Sequence, residues 1–106
     1  MITIDRFREL ELKVGTVTSA EAHPNADRLV VLRVDLGGEQ RQIVAGIRAH
    51  YAPETLVGRQ IVVVANLEPA MLRGVESQGM LLAASSGERV VLVRPDEAVA
   101  AGAVVR

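Results

Sequence analysis

The sequence predicts an all-β fold, a small barrel or sandwich, and three observations carry that expectation. Short aliphatic runs separated by turn residues recur from one end of the 106-residue chain to the other. Hydrophobic residues make up 49% of it, yet Phe7 and Tyr51 are its only aromatics, so the core must be built from Val, Leu, Ile and Ala. One segment bracketed by Pro53 and Gly58 interrupts the strand pattern midway.

The first run is Leu10–Ala22. Leu10, Leu12 and Val14 alternate with Glu11 and Lys13, the period of a half-buried strand. The phase slips at Gly15, where a bulge or strong bend is expected. In the second run, Leu29–Leu36, Val30, Leu32, Val34 and Leu36 face one way, and Arg33 and Asp35 the other. Gly37-Gly38 then reads as a two-residue hairpin turn into the third run, Gln40–Ile47. Ala52–Gly58 predicts one or two helical turns, with Pro53 near the start and Gly58 just past the end. Gln60–Asn66 is the fourth strand, Leu67–Gln78 is polar and turn-rich, and Met80–Ala84 is the fifth. Ser86-Gly87 turns the chain into Arg89–Arg94, and the tail Ala98–Val105 is apolar and small. Three strands, a short helix and two more strands is the order of an OB-fold, a five-stranded Greek-key barrel, here with terminal extensions. Residues 1–106 read as a single domain without linker, low-complexity tract or internal repeat.

Composition excludes several functions. The absence of Cys removes disulfides, thiolate zinc sites and a cysteine nucleophile, and is compatible with a cytoplasmic location. No apolar stretch is long enough for a membrane span, and the N-terminus M-I-T-I-D-R-F lacks a basic leader and an apolar signal core. His23 and His50 are far apart in sequence, so no metal is expected. G-V-E-S-Q-G at Gly74–Gly79 has one residue too many for a nucleophile elbow. There is no phosphate loop and no dinucleotide fingerprint. The expectation is a binding module with no catalytic residue and no cofactor.

Net charge is −1, so bulk charge predicts no polyanion partner. All but one of the 12 basic residues are Arg, the side chain that forks onto carboxylate or phosphate. Between Arg28 and Arg73, Arg28, Arg33, Arg41, Arg48, Arg59 and Arg73 face only Asp35, Glu39, Glu54 and Glu68, while both flanks are acidic. Such a mildly basic middle is either a solvated face or a binding face. The near-absence of aromatics argues against stacking single-stranded DNA, and leaves shape and backbone contacts, as with structured RNA.

Four segments occur in order: H-P-N-A-D-R-L-V-V-L-R-V-D-L-G, R-Q-I-V-A-G-I, L-V-G-R-Q-I-V-V-V-A-N-L and L-R-G-V-E-S-Q-G-M-L-L-A-A. Together they closely resemble the bacterial tRNA-binding domain family, whose members include the C-terminal domain of methionyl-tRNA synthetase and small stand-alone tRNA-binding proteins. The resemblance runs from Ile2 to Arg106, and the end of the chain looks like a synthetase C-terminus. It implies an OB-fold homodimer that binds the outer corner of tRNA by shape and carries no reaction centre. Within a synthetase it would raise tRNA affinity and dimerise the enzyme.

Carried over by residue, the family's binding surface falls on Arg28, Ser77 and Met80, to which Asn25, Arg33, Arg41, Arg73 and Gln78 are added as neighbours. The arginines suit phosphate oxygens, and Asn25, Ser77 and Gln78 suit sugar or phosphate, including the 2′-hydroxyl. Met80 is a soft apolar contact for an exposed base or an ordinary core methionine; Ser77 is a ligand or a turn cap. In His23–Leu29, Pro24, Asn25 and Asp27 make a turn from which Arg28 points outward. The apolar residues of the termini, Ile4, Phe7, Val99, Val104 and Val105, either cap the barrel or are buried in a dimer, and the second is expected here. A sister branch of the family, a protein-export chaperone that binds peptides, is the alternative, followed by a dimerisation appendage without RNA contact.

Overall fold

The computed structural model describes Met1–Arg106. A one-turn helix, α1 (Ile4–Phe7), precedes the first strand, and the Thr3 side chain caps it by accepting from the Arg6 N–H. The strands of the main sheet are β1 (Leu12–Ala22), β2 (Val30–Asp35), β3 (Gln40–Ala45), β4 (Gln60–Val64), β7 (Met80–Leu81) and β10 (Val104–Val105). Two hairpins complete the fold: β5 (Ala70–Leu72) with β6 (Val75–Ser77), and β8 (Ala83–Ser86) with β9 (Arg89–Leu92). The main sheet runs β3-β2-β1-β4-β7, antiparallel throughout, with β10 added beside the start of β1.

Strand β1 serves both halves of the barrel. Leu12–Thr16 pairs with β4, and Thr16–Ala22 pairs with β2. Gly15 lies where the strand changes partner. A Cβ there would overlap Val34 Cγ1 and lie 2.9 Å from Leu36 Cδ2, so only glycine lets the two strands close. The register shift itself comes after Val17, at Thr18, whose hydroxyl donates to Arg33 O at 3.2 Å. The phase slip in the sequence therefore marks a close approach, and the bulge follows it.

The core is a cluster of 13 buried aliphatic residues from β1–β4 and the residues just past their ends (Leu36, Ile47 and Ala65), with Leu81 from β7 and Leu56 from the turn between β3 and β4. That turn is a single 3-10 turn, Pro53–Thr55, which drops Leu56 into the barrel, 1% exposed, before Gly58 (φ 89°) releases the chain. Tyr51 packs against the core and accepts the Leu92 N–H on its hydroxyl.

The barrel closes between β3 and the Ser77–Gly79 corner largely through side chains. The buried Ser77 hydroxyl accepts the Val44 N–H at 3.0 Å and donates to Gly79 O at 2.9 Å. The Gln78 N–H donates to Gln42 O at 2.7 Å while its Oε1 accepts the Gln42 N–H at 3.0 Å. Arg41 Nη1 donates to Ala65 O and Gln78 O, at 2.7 and 3.0 Å.

The five-strand order and the Gly37-Gly38 turn (φ 81° and 96°) are as expected, and three details differ. Leu10 lies outside β1 and is exposed. The expected fifth strand breaks at Leu82, where the chain leaves β7 for the β8–β9 hairpin. Leu67–Gln78 contains the β5–β6 hairpin. Its turn uses Arg73 and Gly74, both at positive φ (53° and 89°), a geometry usually signalled by Asn-Gly or Asp-Gly.

Candidate nucleic-acid interface

Two loops meet at one end of the barrel, His23–Leu29 after β1 and the tip of the β5–β6 hairpin. His23 joins them. Its ring is 3% exposed; Nδ1 accepts the Asn25 N–H at 2.9 Å and Nε2 lies 2.9 Å from Leu72 O. A backbone N–H can only donate and a carbonyl can only accept, so these partners admit one tautomer, neutral with the proton on Nε2. Arg73 Nη2 adds a second tie, donating to Asn25 O at 3.3 Å. The Arg48 N–H donates to Arg28 O at 3.3 Å, which brings a third arginine position to the same end.

Asn25, Arg28 and Arg73 line one shallow cleft of about 380 Å³ with Ala26, Asp27 and Leu29. The three ion pairs of the chain are Arg8–Asp5, Lys13–Glu11 and Arg41–Glu39, so the guanidinium groups of Arg28, Arg48 and Arg73 are outside any ion pair, although Asp27 shares the cleft. In OB-folds the loops after strand 1 and before strand 5, with the face of strands 2 and 3 between them, form the usual oligonucleotide surface. Arg33 lies on that face, exposed on β2 opposite Ser19 and Gln42. Met80 is half exposed on β7 and borders a small depression with Val44, Leu67, Ala70 and Leu72, which removes the core reading.

The remaining expected contacts have another task. Arg41 gives Nε and Nη2 to Glu39, both at 3.3 Å, and Nη1 to two carbonyls, leaving little to offer a ligand. Ser77 is 4% exposed with its hydroxyl both donating and accepting inside the protein. Gln78 spends its side chain on Gln42 and Glu76. These three fasten the hairpin that presents Arg73. Nothing in the sequence pattern singles out Arg48. The hairpin register centred on Gly37-Gly38, continued past Val30↔Ala45, would place it opposite Asp27, diagonal to Arg28.

A family model described as "Putative tRNA binding domain" matches residues 12–104. The chain belongs to this tRNA-binding domain family. The domain is 56% identical over 105 residues to the methionine–tRNA ligase of Thermococcus kodakarensis, covering 99% of the chain and 14% of that protein. It is also 56% identical over 104 residues to the Thermotoga maritima ligase, covering 98% of the chain and 16% of that protein. The domain thus spans a small fraction of these relatives. Solved structures also match at full length, two of them as follows. A MetRS related protein from Pyrococcus horikoshii superposes with TM-score 0.94 at 40% identity, covering 100% of the domain and 98% of that chain. The chaperone CsaA from Bacillus anthracis superposes with TM-score 0.91 at 33% identity, covering 100% and 99%.

The termini of the domain divide their apolar residues. Phe7 and Val105 pack over Leu12, Val62 and Val64 on the outer face of β1 and β4, a small second core. Expected as dimer contacts, these two cap their own barrel, because Leu12, Val62 and Val64 would otherwise face water. Ile4, Val99 and Val104 stay exposed, with Val104 at 63%; of the three, Val104 lines a groove of about 400 Å³ between the N-terminal turn and β10. No helix of the domain is long and apolar enough to cross a membrane.

Proposed function

We propose that this domain binds tRNA through the loop end of its barrel, by shape and backbone contacts at the outer corner of the molecule, and does no chemistry itself. The carrying observation is the pair Arg28 and Arg73, free of ion pairs and held on two loops tied through a buried histidine. Asn25 and Arg33 extend the polar contacts, and Met80 offers an apolar one. Arg41, Ser77 and Gln78 act from behind by holding the hairpin. Family membership and the similarity to two methionine–tRNA ligases support this reading, and make the domain a tRNA-affinity module for an attached catalytic part. Bulk tRNA titrated at two salt concentrations is expected to bind with a log–log salt slope of about −2 to −4, from a few phosphate contacts, while single-stranded DNA does not bind. Failure of tRNA to bind at low salt would overturn the proposal.

Exposed Ile4, Val99 and Val104 further support a homodimer, in which a doubled site offsets the modest charge of each copy. Light scattering at micromolar protein is expected to give twice the 11.4 kDa chain mass; a monomer would sink this part.

A second reading is peptide binding. It draws on the similarity to the chaperone and on the exposed apolar cluster of Leu67, Leu72 and Met80 around one depression. An apolar peptide site would resist salt, so the same titrations separate the two readings.

A further inference from the structure

On the outward face of β1–β3, beside the arginine-bearing end, lies a second depression of about 300 Å³, lined by Glu21, Ala22, Pro24, Val31, Gln42 and Val75. Val31 stands between Glu21 on β1 and Val44 on β3 in the ladder. Pro24 and Val75 belong to the same two segments that carry Arg28 and Arg73. Arg33, two positions along β2, is on the same face by strand alternation. The groove therefore neighbours the cationic end through Pro24 and Val75, and an exposed arginine lies further along the same face.

Its chemistry does not suit a phosphate. The walls are apolar, no cationic side chain lines the depression, and its polar side chains are the Glu21 carboxylate and the Gln42 amide. Glu21 is exposed and takes part in none of the ion pairs of the chain. Gln42 donates its amide N–H to Glu76 O at 2.8 Å, and its side-chain oxygen accepts no hydrogen bond. A carboxylate on a surface meant for a polyanion costs affinity, unless it meets a donor. A ligand with flat apolar faces and N–H groups along one edge fits both features. In RNA that ligand is an unpaired base, and guanine alone presents two adjacent N–H groups on its pairing edge, matching two carboxylate oxygens.

We propose that this groove holds one unpaired base of the bound RNA, preferentially guanine, with Glu21 accepting from its pairing edge. The proposal rests on the tRNA-binding reading and adds base recognition to it. Val31 supplies the contact surface that an aromatic provides in stacking OB-folds.

The test is Glu21→Gln, because charge and recognition predict opposite signs. Removing a negative charge beside arginines should tighten RNA binding if the groove is idle. If Glu21 reads a base, the change puts an amide N–H against the base N–H groups and binding weakens, by about tenfold for the loss of a bidentate pair. The full chain, wild type and variant, is titrated with bulk tRNA. Guanosine, inosine and uridine monophosphates then serve as competitors, inosine lacking the 2-amino group. The expected result is weaker tRNA binding by the variant and a guanosine advantage that the variant loses. Equal or tighter binding by Glu21→Gln, or competition indifferent to the base, overturns the base groove and leaves the tRNA-binding reading standing. Absence of tRNA binding by the wild type overturns both.

Discussion

Replacing Arg28 and Arg73 together by alanine is expected to lower tRNA affinity about 100-fold while leaving the melting temperature nearly unchanged. A hydrogen bond to a charged partner contributes about 1.5–3 kcal/mol, and about 1.4 kcal/mol is a factor of ten, so removing two such bonds reaches that scale. The salt slope should become shallower by about 2, close to one for each phosphate left without its arginine. Both side chains are exposed and outside the ion pairs of the chain, and the one bond lost, from Arg73 to Asn25 O, is long and exposed at 3.3 Å, so stability has little to lose. The two share one cleft, so the single variants are expected to couple and not to add simply. Arg73 allows a finer test. It holds φ 53°, where glycine is at ease, so Arg73→Gly removes the charge and relieves the backbone together. It should bind as weakly as Arg73→Ala yet melt higher. Lysine at position 28 keeps charge but not the fork, and should recover only part of the affinity. Unchanged affinity in the double variant would show that this end of the barrel does not face tRNA.

The division between what the sequence discloses and what it conceals is a physical one. The barrel strands are legible because one side of each faces the core, so Val30, Leu32 and Val34 alternate with Val31, Arg33 and Asp35. The β5–β6 hairpin is hidden because it packs against the barrel without a core face of its own; β5 is exposed along its whole length, and its turn carries an arginine at the left-handed position. Barrel closure is hidden for a related reason. It depends on the hydroxyl of Ser77 and the amide of Gln78, and neither follows a period. The same groups would suit ribose or phosphate equally well, so residue type cannot separate a fastener from a ligand; burial does. Arg28 is legible as an outward charge after a turn. Its pairing with Arg73 is not, because the two meet across a long stretch of intervening chain and through a histidine whose two partners only the fold reveals.

His23→Ala is therefore expected to cost more than its small size suggests. The substitution strips the Asn25 N–H and the Leu72 carbonyl of their partner at a buried position. A buried group left unsatisfied costs about 1–3 kcal/mol, and these two are only partly buried, so the lower half of that range applies to each and a destabilisation of about 2–4 kcal/mol is expected. For a domain of this size that lowers Tm by about 10–20 °C. Asparagine and glutamine separate the two bonds. His23→Asn can still accept the Asn25 N–H with its side-chain oxygen, as in an Asx turn, but is too short for Leu72 O. His23→Gln can reach Leu72 O with its amide N–H and gives up the bond within the loop. The first variant keeps the loop's shape and frees the hairpin; the second does the reverse. If tRNA must meet Arg28 and Arg73 at a fixed separation, both variants weaken binding even at temperatures where they are fully folded, because either one lets the two guanidinium groups move independently. Thermal melts followed by tRNA titration well below each Tm decide the matter. Wild-type affinity in a folded His23→Asn protein would mean that the two loops bind as separate patches, and that His23 serves stability alone.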